Sequence, residues 1–170
     1  NLPNKLTIAR LIMIPLFAAV FYLEVIPFNY VIAAAIFAIA AFTDFLDGHI
    51  ARKYGLVTDL GKFLDPIADK VLVAAALIIM LVKPNGGVEI MPIYGAIAVA
   101  IILARELIVS GFRMVAAAKG AVLAADWSGK VKTFVTDVAI LMLLIVAEFA
   151  PMYSIANIIG LVLLGIATLL

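Results

Sequence analysis

Residues 43–70 read TDFLDGHIARKYGLVTDLGKFLDPIADK. This stretch places four aspartates in a strongly apolar chain: Asp44, Asp47, Asp65 and Asp69. A carboxylate within a membrane segment is costly, and an acid found there usually belongs to a functional site. A purely structural role in holding helices together is the alternative, but the nearby Arg52 and Lys70 cannot pair with all four acids. The stretch therefore indicates a functional site inside a membrane domain.

The composition of the chain points to the same class of protein. Of the 170 residues, 67% are hydrophobic and 14% are charged, with a mean hydropathy of +1.27. A soluble domain is nearer half apolar and a quarter charged. The absence of cysteine and the presence of one histidine exclude disulfides, thiolate metal sites and a His-rich zinc site. A net charge of +1 gives no indication of nucleic-acid binding.

Apolar segments of spanning length predict an all-α integral membrane fold with six transmembrane helices. Such a helix needs about 20 mostly apolar residues, and Gly, Pro and charged residues separate the segments. We expect spans near residues 8–23, 29–51, 60–81, 92–117, 130–147 and 153–170. No repeat or long linker divides them, so residues 1–170 are expected to form a single domain. The first span lacks a clear cleavage site, which argues against a cleavable signal peptide, and the missing initial Met indicates trimmed ends.

The distribution of basic residues predicts the orientation in the membrane. With the N-terminus in the cytoplasm, eleven of the twelve basic residues fall at cytoplasmic ends and only Lys83 falls outside. The positive-inside rule then places both the N- and C-termini in the cytoplasm.

Helix spacing brings the four acids together. Asp44 and Asp47 are spaced i, i+3 and Asp65 and Asp69 i, i+4, so each pair shares one helix face. A short turn near residues 54–58 makes the two helices antiparallel neighbours, with the two pairs at matched heights of roughly 14–20 Å from the turn. Carboxylates that close need neutralising cations or protons. An all-oxygen donor set favours hard ions such as Mg²⁺ or Mn²⁺, and two bridged ions would serve phosphoryl chemistry.

The residues between the acids complete a recognisable pattern, D-x-x-D-G-x-x-A-R followed after eight residues by G-x-x-x-D-x-x-x-D. Its fixed positions are Asp44, Asp47, Gly48, Ala51, Arg52, Gly61, Asp65 and Asp69. Glycines and alanine allow a ligand to approach a helix closely, and a guanidinium suits phosphate. This pattern resembles the signature of the CDP-alcohol phosphotransferases. The flanking stretches PNKLTIARLIMIPLF, ARELIVSGFR and SGKVKT resemble the bacterial phosphatidylglycerophosphate synthases within that family.

The resemblance implies a cytoplasm-facing site in the cell membrane, a homodimer, and a reaction of CDP-diacylglycerol with sn-glycerol 3-phosphate that gives phosphatidylglycerol phosphate and CMP. It implies a two-ion Mg²⁺ or Mn²⁺ centre on Asp44, Asp47, Asp65 and Asp69, with Asp69 also the general base. The CDP-binding set is expected to comprise Gly48, Ala51, Arg52, Gly61, Asn4 and Thr7. The acceptor is a dianion that needs cations of its own. For it we expect Arg105, Arg113, Lys130, Arg10 and Lys132.

Other interpretations remain open at this point. The same chemistry could use inositol phosphate, serine or a phosphatidyl unit as the acceptor. Arg105 could instead pair with Glu106, and the other bases could be ordinary interfacial residues. A cation or proton transporter could use intramembrane acids, but it would not explain the small residues at fixed spacing. An aspartate-rich prenyl transferase would have a different acid spacing.

Overall fold

The computed structural model describes the backbone of residues 2–23, 25–54, 59–82, 90–91, 93–118, 127–149 and 153–169. It describes the side chains of residues 6–23, 25–43, 67–82, 90–91, 95–113, 115–116, 129–149 and 158–169. These ranges form helices and connecting turns and contain no strand. The helices are α1 Leu2–Tyr22, α2 Asn29–Tyr54, α3 Asp59–Leu81, α4 Ile93–Ala118, α5 Trp127–Glu148 and α6 Tyr153–Leu169.

The expected order of six helices is confirmed within the described ranges, and several boundaries differ. α1 begins at Leu2, six residues before the predicted start, because Pro3 in a first helical turn lacks only an N–H that would have no helical partner. α2 continues to Tyr54 and α5 begins at Trp127. Both extensions are polar, which is why a search for apolar runs missed them.

A core of aromatic and aliphatic side chains holds α1, α2, α3 and α5 together. Phe17 packs against Phe21 and Phe37 with ring centroids 6.1 and 6.3 Å apart, and Phe21 meets Tyr30 edge-on at 5.3 Å. Leu77 of α3 and Leu144 of α5 are fully buried in the same cluster. α3 contacts α1, α2, α4 and α5. It therefore carries the second half of the aspartate pattern through the middle of the bundle.

The turn between α1 and α2 is fixed by two side chains. The Asn29 amide donates to the carbonyl of Phe21 at 2.9 Å, which satisfies a carbonyl at the end of α1. The Tyr30 N–H donates to Oε2 of Glu148 at 3.1 Å, so an acid from the end of α5 caps the start of α2. Phe28 adopts a positive φ of 60°, a conformation that a bulky residue rarely adopts without such support.

The apolar character of the helices is uneven. Within the described residues, one segment, Gly95–Arg113 of α4, is long and apolar enough to cross a membrane by length and composition. Leu6–Tyr22, Asn29–Thr43 and Ile158–Leu169 are apolar but shorter. Charged residues at one end of α2, α3 and α5 interrupt the apolar runs there. Large apolar side chains nevertheless cover the outside of the bundle, among them Ile97, Leu107 and Phe112.

The packing of α5 against α6 depends on a glycine. A Cβ added at Gly160 would lie 2.6 Å from Cδ2 and 2.7 Å from Cγ of Leu143, which is itself buried, whereas one added at Gly165 would meet nothing within 4 Å. Gly160→Val should therefore overpack this contact and lower stability by about 1–3 kcal/mol. Gly165→Val is the matched control and should change stability by less than about 1 kcal/mol.

Thermal unfolding of the two variants in the same detergent measures this difference. A lower melting temperature for Gly160→Val alone is the expected result. Equal melting temperatures for the two variants would show that α6 does not pack on α5 through Gly160.

Candidate functional site

A cavity of about 240 Å³, partly open to the outside, lies between three helices at the level of Asp69. α3 contributes Asp69 and Lys70, α4 contributes Glu106, and α5 contributes Lys132. The cavity is also lined by Val71, Val73, Ala74, Ile102, Leu103, Leu107, Thr133 and Thr136. The surface of the cavity is largely apolar, although charged residues are among those that line it. A cavity of this kind can hold an apolar part of a ligand beside charged residues.

Asp69 borders the cavity and is partly exposed, while the preceding Ala68 is fully buried. Asp69 is the one predicted metal ligand whose side chain lies in the described part of the chain. The backbones of Asp44, Asp47 and Asp65 are helical, on α2 and α3, which contact each other. Their side chains lie outside the described residues, so the convergence of all four acids stays a prediction. The described side chains alone contain no group of three acids or histidines that could hold a metal ion.

Glu106 is the centre of the charged wall. Its Oε1 faces Nζ of Lys132 in an ion pair and Nη1 of Arg105 at 3.5 Å, and its Oε2 lies 3.9 Å from Nζ of Lys70. Lys70 also donates to the hydroxyl of Ser110, which in turn donates to the backbone carbonyl of Glu106. Helices α3, α4 and α5 are thus joined at this level by charge-assisted contacts, which are stronger than neutral hydrogen bonds.

The five cations predicted for the acceptor phosphate occupy different environments. Lys132 is 4% exposed and lines the cavity. Arg105 contacts Glu106, as the structural interpretation of that residue predicted, and does not itself line the cavity. Arg10 is fully buried on α1. Arg113 and Lys130 are exposed and are not among the residues that line the cavity.

The residues predicted for CDP binding lie mostly outside the described side chains. Gly48, Ala51, Arg52 and Gly61 have helical backbones on α2 and α3, and Asn4 has a helical backbone on α1. Thr7, one turn before Arg10 on α1, is fully buried. The structure therefore brings Thr7 and Arg10 to one buried face of α1 and does not test their contact with a nucleotide.

Sequence reasoning missed several members of the site. Lys70, Ser110, Thr133 and Thr136 were not predicted, and Glu106 was considered only as a partner for Arg105. Two signals could have found them. Glu106 is the single acid in the sequence of α4, and Ser110 follows it by one helical turn. Lys132 and Thr136 are related in the same way on α5, where the Thr136 hydroxyl donates to the Lys132 carbonyl at 2.9 Å.

Comparison with known proteins adds information that the geometry does not contain. The family described as CDP-alcohol phosphatidyltransferase matches residues 1–168. A Bacillus subtilis protein is 43% identical over 156 residues, covering 85% of this chain and 77% of the relative. A Rickettsia bellii protein is 39% identical, covering 100% and 88%, and a Salmonella paratyphi A protein is 42% identical, covering 85% and 76%. All three are named CDP-diacylglycerol--glycerol-3-phosphate 3-phosphatidyltransferase.

The different burial of two lysines on α5 gives a direct test of the site. The chain has no cysteine, so single cysteines can be introduced without further changes. Lys132 is buried and Lys130, half a turn away, is exposed. Lys130→Cys should react with a charged maleimide at least about tenfold faster than Lys132→Cys, because a buried thiol is shielded from the reagent.

Labelling rates in detergent, followed by mass spectrometry, measure this difference, and labelling after unfolding in denaturant is the control for intrinsic reactivity. Similar rates in the folded state would contradict the burial of Lys132 and the position of α5.

Proposed function

The chain belongs to the CDP-alcohol phosphatidyltransferase family, and we propose that it transfers a phosphatidyl group from CDP-diacylglycerol to sn-glycerol 3-phosphate. The products are phosphatidylglycerol phosphate and CMP. The observation that carries this proposal is the family match over residues 1–168 together with relatives of this activity that share 39–43% identity with the chain. The aspartate pattern at residues 44–69 supplies the chemistry that such a reaction needs.

The acids fit a pair of hard divalent cations. Asp44, Asp47, Asp65 and Asp69 offer only oxygen donors, the ligands that Mg²⁺ and Mn²⁺ prefer. In the described part of the site, Asp69 is partly exposed and lines the cavity. We propose that these four residues hold two ions, Mg²⁺ or Mn²⁺. When bound, such ions neutralise the charge of a pyrophosphate and of the leaving phosphate.

Asp69 is the proposed general base. Its carboxylate takes the proton from the attacking hydroxyl of glycerol 3-phosphate. The hydroxyl oxygen forms a bond to the lipid-side phosphorus of CDP-diacylglycerol while the bond between that phosphorus and the CMP oxygen breaks. Asp69 and Lys132 line the same cavity. A base and an acceptor site are thus adjacent, and the reacting groups can be held in position.

The remaining residues would bind the two substrates. For the nucleotide of the CDP-lipid we propose the set Gly48, Ala51, Arg52, Gly61, Asn4 and Thr7. For the acceptor phosphate we propose Arg105, Arg113, Lys130, Arg10 and Lys132. Lys132 lines the same cavity as Asp69, which supports its place in the second set.

A membrane location follows from the substrate and the surface. The acyl chains of CDP-diacylglycerol are confined to a bilayer, and apolar side chains such as Ile101 and Phe112 cover the outside of α4. We propose six spans in the cell membrane with both termini in the cytoplasm, supported by the distribution of basic residues. The site would then face the cytoplasm, where glycerol 3-phosphate is dissolved. A homodimer is part of the same proposal.

The decisive assay is release of CMP from CDP-diacylglycerol by the purified protein. Release should require a divalent cation, stop with excess EDTA and return with Mg²⁺ or Mn²⁺, because the acids cannot orient a pyrophosphate without counterions. Among glycerol 3-phosphate, inositol phosphate, serine and phosphatidylglycerol, we expect release with glycerol 3-phosphate alone. Release with another acceptor only would replace the proposed acceptor, and no release with any of them would refute the transferase.

The role of Asp69 predicts the effect of a single substitution. Asp69→Asn keeps the size of the side chain and removes the base and one anionic oxygen, so turnover should fall by at least about 10³-fold. Asp137→Asn on α5 is the matched control and should retain most of the turnover. The melting temperatures of both variants are measured alongside. Near-normal turnover of a folded Asp69→Asn variant would exclude Asp69 as the base.

A further inference from the structure

The cavity beside Asp69 exists because two helices stay apart. Within the described residues, α3 packs against both α4 and α5, but no Cα atom of α4 lies within 8 Å of a Cα atom of α5. The side chains of Glu106 and Lys132 bridge this gap with their ion pair. Most of the remaining surface of the gap is apolar. The cavity is therefore an apolar space between α4 and α5, with α3 as its floor.

The cavity has a charged end and an apolar end. Lys70 of α3 and Glu106 of α4 form an ion pair at the charged end, beside Asp69. About one helical turn away from this pair, the lining of both helices becomes aliphatic. The aliphatic lining residues are Val73, Ala74, Ile102 and Leu103.

The cavity opens toward the outside of the bundle. Val71, Leu107 and Thr133 line it and are exposed, Leu107 by 74%. Each of them directly follows a charged residue of the lining, so the opening lies at the level of the charged end. An apolar chain outside the bundle could enter the cavity there.

The two threonines of the lining do not require a polar ligand. The Thr133 hydroxyl donates to the Gly129 carbonyl at 3.1 Å, and the Thr136 hydroxyl donates to the Lys132 carbonyl at 2.9 Å. A hydroxyl that donates to the preceding turn of its own helix has used its proton. An apolar ligand can therefore lie against both residues without leaving a donor unsatisfied.

We propose that this cavity holds one acyl chain of CDP-diacylglycerol. The inference rests on the proposed function, and it adds Ala74 and Ile102 to the residues that contact that substrate. Continuity with Asp69 identifies the occupant, because the proposed base lines the same cavity and must approach the lipid-side phosphorus. Ala74 lies five residues beyond Asp69, about 7.5 Å along the axis of α3. The ester group and first methylenes of a chain joined to that phosphorus through glycerol can cover this distance.

The cavity determines the position of the lipid more than its affinity. A chain that moves from the bilayer into an apolar cavity exchanges one apolar environment for another, so burial contributes little. An empty cavity lacks packing contacts, and a chain that fills it restores them. A chain held there fixes the height of the lipid, which keeps the phosphorus near Asp69 for attack.

The test fills the apolar end of the cavity. Ala74→Phe places a ring where the chain would lie, so kcat/KM for dipalmitoyl CDP-diacylglycerol should fall by about tenfold or more. With CDP-diacetylglycerol, whose chains end near the ester groups, the fall should be less than about threefold. The KM for sn-glycerol 3-phosphate should not change.

Ala75→Phe is the matched control. Ala75 is the next residue of α3 and is also half-buried, but it does not line the cavity. Its substitution should leave kcat/KM for both lipids within about threefold of the wild-type values. Melting temperatures of both variants are measured alongside. If Ala74→Phe does not fold, Ala74→Leu takes its place, with a smaller expected effect.

Photo-crosslinking locates the chain without turnover. A CDP-diacylglycerol that carries a diazirine in the first half of each acyl chain is added without an acceptor and irradiated. Mass spectrometry should find the label on the aliphatic lining residues of α3 and α4. An excess of unlabelled CDP-diacylglycerol should suppress this labelling, whereas an excess of phosphatidylcholine with the same chains should leave most of it.

The two proposals can fail independently in these experiments. Labelling of the cavity in a protein that releases no CMP with any acceptor would refute the proposed function and leave the acyl-chain site standing. Labelling elsewhere, or equal competition by phosphatidylcholine, would refute the acyl-chain site. Equal effects of Ala74→Phe and Ala75→Phe in folded proteins would refute it as well.

Discussion

The cost of placing charge in an apolar bundle is the constraint on which the rest of this structure depends. Lys132 is buried where α5 faces α3 and α4, and an ammonium at that depth needs a counterion. Glu106 provides it and at the same time contacts Lys70 and Arg105. The same acid therefore links α3 and α5 to α4 through charged contacts.

The two halves of the proposed site have opposite sign. Acids from α2 and α3 form one half in the sequence pattern, and cations from α3, α4 and α5 form the other in the structure. Asp69 and Lys70 are adjacent residues at the boundary between these halves, and both line the cavity. A transferase that joins an anionic nucleotide-lipid to an anionic acceptor needs this division. Metal ions held by the acids would neutralise the nucleotide-lipid, and the proposed acceptor cations would neutralise the phosphate of the second substrate.

Much of the fold could be predicted from the sequence because its signals are local. Apolar runs and the breaks at Gly and Pro gave six helices in the correct order, and errors fell at polar ends such as Leu2 of α1 and Trp127 of α5. Polar residues at a helix end do not form an apolar run, so a search of the hydropathy cannot distinguish them from a loop. The capping of α2 by Glu148 could not be predicted either, because it joins residues 118 positions apart.

In the candidate site, too, the local features could be predicted from the sequence and the long-range contacts could not. The aspartate pattern is local, with spacings of three and four residues, and one sequence is enough to recognise it. The cation cluster joins residues 70, 106 and 132, and no spacing rule connects them. Sequence reasoning selected Lys132 and Arg105 for their charge and treated Glu106 as a competitor for Arg105. In the structure, Glu106 contacts cations from three helices: Lys70, Arg105 and Lys132. It is therefore the common partner of this cluster, and Arg105 is only one of its contacts.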